Sequence, residues 1–143
     1  MDGRDYVFLD RATFEKWREN GDFVESFEVF GHLYGTPRRP LIDHLAAGDD
    51  VILEIDVQGA MAVRAAFPEA VLVFLRPPSR EVQRSRLVAR AGDAPDIIER
   101  RLAKADAEEA MARHFDLVVV NDVLETAVER VAAILQARSH KEL

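Results

Sequence analysis

The run Val51-Ile52-Leu53-Glu54-Ile55-Asp56-Val57, closed by Gln58-Gly59, constrains the fold more than any other stretch of the chain. Its β-branched and large apolar residues predict a buried strand, and the spacing of Val63, Ala66 and Phe67 after Gly59 predicts an amphipathic helix ended by Pro68. Residues 71–75 and 117–120 are uninterrupted apolar runs of the kind that parallel strands show when buried on both faces. Helices are expected between and after them: one capped by Ser79, a long one from a loop at 91–95 to about residue 115, and a last one over 123–138. Strand and helix thus alternate from Val51 onward, which predicts right-handed βαβ units and a parallel sheet. Open α/β sheets bind ligands at the carboxyl ends of their strands, so Glu54 and Asp56 are candidates for a site. A strand that simply turns polar on reaching solvent gives the same pattern, and the pattern does not choose between the two.

Upstream, residues 5–9 alternate enough for a short strand. Asp10 is placed to cap a helix through Asn20 that carries Phe14 and Trp17 on one face, with Asn20-Gly21 closing it. Residues 23–30, turned at Gly31-His32 into Leu33-Tyr34-Gly35-Thr36-Pro37, read as a hairpin-like β segment. A short helix over 40–47 stops at Gly48.

The 143 residues suffice for one compact domain with a real core. The absence of Cys excludes disulfides, thiol catalysis and Cys-based metal sites, and no metal site is predicted. The first residues lack the pattern of a signal peptide and no apolar run approaches a membrane span, so a cytoplasmic protein without a membrane partner is expected. A net charge of −7 argues against nucleic acid as a partner. The charge is uneven: residues 76–101 hold seven arginines against Glu81, Asp93, Asp96 and Glu99, a local excess of three positive charges that leaves −10 on the remainder. Such an island suits a small anionic ligand, although arginines paired with acids along a solvated helix face would have the same composition.

Seven pieces, in order and spanning nearly the whole chain, resemble the guanylate kinase family. They are Asp2-Gly3-x-Asp5-Tyr6-x-Phe8, Phe23-Val24-Glu25, Tyr34-Gly35-Thr36-Pro37, Leu53-Glu54-Ile55-Asp56-Val57-Gln58-Gly59, Phe74-Leu75-x-Pro77-Pro78-Ser79, Arg100-Arg101-Leu102 and Val119-Val120-Asn121-Asp122. The resemblance implies phosphoryl transfer from ATP to GMP. It implies GMP contacts at Tyr6, Glu25, Tyr34, Thr36, Glu54 and Asp56, the tyrosines bonding the phosphate. It places catalytic cations at Arg90 and Arg101 in the lid and the adenine side of ATP at Asn121 and Asp122. Guanine offers adjacent N1–H and N2–H₂ donors to a carboxylate and an O6 acceptor to a hydroxyl, so Glu25, Asp56 and Thr36 are the right groups for it. Taken without the resemblance, Tyr6 and Tyr34 read equally well as core or rim aromatics, and Glu25 and Thr36 as a solvent-facing strand pair. Two pieces depart from the family: Ser26 stands where a Trp usually follows the acid, and the lid loop is Ala89-Arg90-Ala91-Gly92 rather than Gly-Arg-Gly-Thr.

None of the seven glycines is followed by Lys, so the family's P-loop, G-x-x-x-x-G-K-[ST], is absent from these residues. The fold expected is therefore an α/β, incomplete P-loop kinase fold: a parallel sheet lacking its central P-loop strand, a mixed β GMP-binding subdomain and a helical lid. Within one domain the GMP-binding part is expected over 1–48, core strands over 49–78, the lid and long helix over 79–115, and a final strand and helix over 116–143. The family uses ATP and Mg²⁺, and the main ligands for both are missing, so the chain by itself is expected to be inactive. A non-catalytic GMP-binding or protein-interaction module is the competing expectation. A sheet without its central strand exposes edges that a complementing N-terminal segment, or a second copy of the chain, would cover.

Overall fold

The computed structural model describes residues 6–29, 31–91 and 95–139, apart from the side chains at 90, 91, 138 and 139. The chain divides into two compact units, Met1–Ala70 and Val71–Leu143.

In the first unit Asp10 starts α1 (Arg11–Asn20) by accepting both the backbone N–H of Thr13, at 2.8 Å, and its hydroxyl, at 2.9 Å. Gly21, at φ 75°, ends α1 in the left-handed conformation that only glycine adopts readily. Phe14 is buried and stacks on Phe23 with ring centroids 4.6 Å apart, and Trp17 meets the same ring at 5.8 Å. The expected hairpin is present as β1 (Phe23–Val29) and β2 (His32–Pro37), paired antiparallel with Glu25 opposite Thr36 and Phe27 opposite Tyr34. Its register shifts between Phe23 and Glu25, so Phe23, Val24 and Glu25 are all buried where a regular strand would alternate. Two further helices follow, α2 (Arg38–Ala46) and α3 (Val57–Ala66). The core joins Val24, Leu41 and Val63, with Val51, Leu53, Ile55 and Phe67 packed against it.

Three expectations for this unit are corrected. Residues 7–9 form no strand, and Val7 and Phe8 are exposed. Residues 51–55 form no strand either: alternate residues pack on the core while Ile52 and Glu54 are exposed, because no neighbouring strand among the described residues supplies the ladder that a buried strand needs. Finally, α3 begins at Val57, before Gly59 rather than after it, because Asp56 caps it through the backbone N–H of Gly59 at 2.9 Å.

The second unit holds the parallel pair, β3 (Val73–Arg76) and β4 (Leu117–Val120), in the register Val73 to Leu117 through Arg76 to Val120. Between them run α4 (Arg80–Ala91) and α5 (Pro95–Met111), and α6 (Leu124–Ser139) closes the chain. The β3 strand starts two residues later than expected because the backbone N–H of Leu72 is taken by the Asp116 carboxylate at 2.8 Å instead of by a ladder. Ser79 does cap α4, its hydroxyl accepting the N–H of Val82 at 3.2 Å. Of the loop expected over 91–95, Ala91 and Pro95 are helical, and residues 92–94 lie outside the described set. Leu102, at 2% exposure the most buried large side chain among the described residues, is joined in the core by Leu72, Ile98, Ala112, Val119 and Ala127.

Candidate functional site

Glu25 is the one charged residue among the buried side chains of the described core. The β-bulge puts it there. Thr36, opposite it on β2, donates its hydroxyl to Glu25 Oε1 at 2.5 Å. Asp56, at the N-terminus of α3, lies close enough to repel it. Burial raises the Glu25 pKa above the usual carboxylate value, and the Asp56 charge adds to the rise. Hydrogen bonds from the Thr36 hydroxyl and backbone N–H oppose it. Oε2 of Glu25 lies against Gly59, in the first turn of α3. The arrangement presents two carboxylates and a hydroxyl from three separate segments, a set able to read a ligand edge with adjacent donors and an acceptor.

The remaining predicted residues of this unit stand differently. Tyr34 shares the Thr36 face of β2 and is 46% exposed. Tyr6 forms an isolated bridge and is 61% exposed, its ring 6.2 Å from that of Phe8. Glu54 is exposed and alternates away from Leu53 and Ile55, so it stands apart from buried Glu25 and half-buried Asp56. A cavity of about 670 Å³ in this unit, between Val7, Trp17, Pro37, Arg38 and Ile42, is lined by none of Glu25, Thr36 or Asp56.

In the second unit a smaller cavity of about 200 Å³ lies at the carboxyl ends of β3 and β4, lined by Leu75, Pro77, Gln83, Arg86, Leu87 and Asn121. This is where parallel strands conventionally offer a binding crevice. Arg86 holds its rim, donating to the carbonyl oxygens of Asn121, at 2.8 Å, and Asp122, at 3.4 Å. Arg101 lies half-buried on α5, and the side chain of Arg90 is outside the described set. The arginine island is largely occupied with structure: Arg76 pairs with Glu109, Arg80 with Asp106 at 2.6 Å and Arg84 with Glu99 at 2.6 Å. These pairs reach from β3 and α4 to α5, not four residues along one helix.

A sequence profile of the family described as guanylate kinase matches residues 1–138. The chain belongs to the guanylate kinase family. It is 53% identical over 135 residues to the guanylate kinase of Gloeobacter violaceus, covering 94% of this chain and 66% of that one. To a guanylate kinase of Thermus thermophilus it is 52% identical over 141 residues, covering 99% of this chain and 64% of the other. The crystal structure of guanylate kinase from Anaplasma phagocytophilum superposes with a TM-score of 0.81 at 35% identity, over 96% of this chain and 67% of that one. The chain thus spans about two thirds of the length of the curated relatives it matches. The α/β architecture of helices and small sheets is that of the guanylate kinase fold.

Three features of the site were not anticipated from sequence: the bulge that buries Glu25, the role of Gly59 beside it, and the clamp made by Arg86. A helical glycine three residues after Asp56 was the available signal for the second; the bulge left none.

Proposed function

We propose that these 143 residues carry the GMP-base pocket and the lid of an ATP:GMP phosphotransferase. The observation that carries the reading is the buried Glu25, bonded to Thr36 and facing Asp56. A carboxylate accepts from N1–H and N2–H₂ of guanine, the second acid shares that edge, and the threonine hydroxyl donates to O6. The hydroxyl has one proton to give, so directing it to O6 frees Oε1 of Glu25 for a guanine donor. Adenine would set its N1 acceptor against a carboxylate, and a site built on such bonds discriminates by about 10⁴-fold or more. Tyr6 and Tyr34 are assigned to the GMP phosphate and Glu54 to the rim of the site. Asn121 and Asp122, at the smaller cavity, are assigned to the adenine side of ATP. Arg90 and Arg101 would stabilise charge on the transferring phosphoryl group, a task for which a permanently charged guanidinium is suited.

Guanylate kinases use ATP with Mg²⁺. Among the described residues no group of three or more His, Asp or Glu side chains converges to hold a cation, and no step is routed through one. No helix among the described residues is long and apolar enough to cross a membrane, and we assign the activity to the cytoplasm. Phosphoryl transfer depends on positioning and electrostatics, so the 143 residues without a P-loop should have no appreciable turnover. We read the two units as parts of one kinase domain whose sheet takes a further strand.

The test is a coupled ADP-release assay on the chain alone and on the chain fused, at Met1, to a guanylate kinase N-terminal segment bearing a P-loop. The expected result is GMP-dependent turnover from the fusion only. Turnover of about 1 s⁻¹ or faster from the chain alone refutes the need for the segment. A fusion that melts cooperatively at higher temperature yet turns over no GMP replaces the enzyme reading with that of a binding module.

A further inference from the structure

Gly59 is a glycine that its backbone does not require. It is the third residue of α3, and among the described residues the glycines at positive φ are Gly21, Gly31 and Gly48. Glycine inside a helix is disfavoured relative to alanine, so a helical glycine without a conformational task calls for a packing reason. That reason lies across the site. A Cβ at position 59 would stand 3.1 Å from Oε2 of Glu25, 3.3 Å from its Cδ and 3.2 Å from the Cβ of Ile55. Contacts this short force a neighbour to yield by a few tenths of an ångström. Glu25 has little room to yield, because Oε1 is already 2.5 Å from the Thr36 hydroxyl and closer approach falls below the range of O–H···O bonds. The carboxylate would have to rotate, which turns both of its oxygens off the edge they share with Thr36. Meanwhile the N–H of Gly59 fixes Oδ1 of Asp56 at 2.9 Å, so this one residue touches both acids.

We propose that Gly59 is a positioning residue for base selection: its open Cβ space lets the Glu25 carboxylate lie against the first turn of α3, so that Glu25 and Asp56 present their oxygens to one ligand edge. The inference rests on the guanine-pocket reading. A Cβ there trades the alignment of Glu25 for helix propensity, and the loss falls on ligands that need the carboxylate, leaving others untouched.

The experiment measures GMP and AMP affinities by calorimetry for the 143-residue chain and for Gly59→Ala, alongside thermal melts. The unsubstituted chain should prefer GMP. Gly59→Ala should melt cooperatively and lose GMP affinity by about tenfold or more, the scale of one hydrogen bond to a charged group, with AMP affinity unchanged. A general loosening of the fold would move both nucleotides together and overturn the proposal. So would a Gly59→Ala chain with the original GMP preference. An unsubstituted chain that does not prefer GMP overturns the guanine-pocket reading itself, and this inference with it. Should Gly59→Ala fail to fold, Glu25→Asp is added to withdraw the carboxylate by one methylene. A refolded double variant supports the proposal by identifying Glu25 as the crowded group, and one that stays unfolded overturns it.

Discussion

Replacing Glu25 by glutamine should strengthen the fold at neutral pH and weaken GMP recognition at the same time. The amide keeps the shape of the acid and an oxygen that can accept from the Thr36 hydroxyl. It removes the buried charge and its repulsion with Asp56, the causes that raise the Glu25 pKa. Because the folded pKa lies above the unfolded one, the folded state binds more protons between the two values. Stability contributed by the protonated acid is therefore full below the unfolded pKa and falls as pH rises through the folded one. Each tenfold weakening of the acid corresponds to about 1.4 kcal/mol lost at neutral pH. Glutamine has no such loss, so the variant should gain on the wild type as pH rises. In a chain of this length each kcal/mol moves the melting midpoint by about 3–4 °C.

Recognition moves the opposite way. Guanine presents donors where the amide now also presents one, so a charge-assisted hydrogen bond is lost, about 1.5–3 kcal/mol or roughly 10- to 150-fold in GMP affinity. AMP sets its N1 acceptor against that position, where the amide can donate, so its affinity should hold or rise. Thermal melts from pH 3 to 8, with calorimetry for both nucleotides, check the pair of effects. A variant less stable at every pH that still prefers GMP to the original extent would refute the reasoning. Its outcome would mean that Glu25 serves the core and does not face the ligand.

The same titration predicts that GMP affinity of the unsubstituted chain falls as acid protonates Glu25, beginning at higher pH than for an ordinary glutamate, while AMP affinity does not follow; nucleotide titrations across the acid range measure it. Leu102→Ala, at the most buried large side chain, should destabilise the second unit by about 2–5 kcal/mol, read from denaturant midpoints at constant m-value.

The sequence made the elements legible where local chemistry decides them. Asp10 and Gly21 bound α1, Ser79 starts α4, and the apolar runs became β3 and β4, because caps, turns and burial act over a few residues. Residues 51–55 have as strong a strand composition as β4, yet they remain unladdered: composition expresses a demand for partners, and only the tertiary structure says whether one is supplied. Glu25 shows the same limit at the site. Phe-Val-Glu in a strand predicts an acid on the solvent side of an alternation, and one bulged residue reverses that by turning the carboxylate inward. Family motifs contained Glu25, Thr36, Asp56 and Gly59, but not the geometry that brings them together, nor the open space at the Gly59 Cβ position.

The arginine island carries this distinction between count and placement to the phosphate side. Half-exposed ion pairs such as Arg76 with Glu109, Arg80 with Asp106 and Arg84 with Glu99 contribute about 0–1 kcal/mol each, so they do not account for the stability of the second unit. Their effect is directional. Arg80 also donates to the carbonyl of Leu102 at 3.0 Å, beside the most buried side chain, which fixes α4 against α5 at a point where the core is already rigid. Arg86 ties the same helix to the turn after β4. Four of the seven arginines thus hold β3 and α4 in place, and drawing them toward a phosphate would break those contacts. The local excess of positive charge therefore overstates the cation available to an anionic ligand. The proposed transferring-phosphate role of Arg90 and Arg101 rests on their place in the family's motifs and not on charge density.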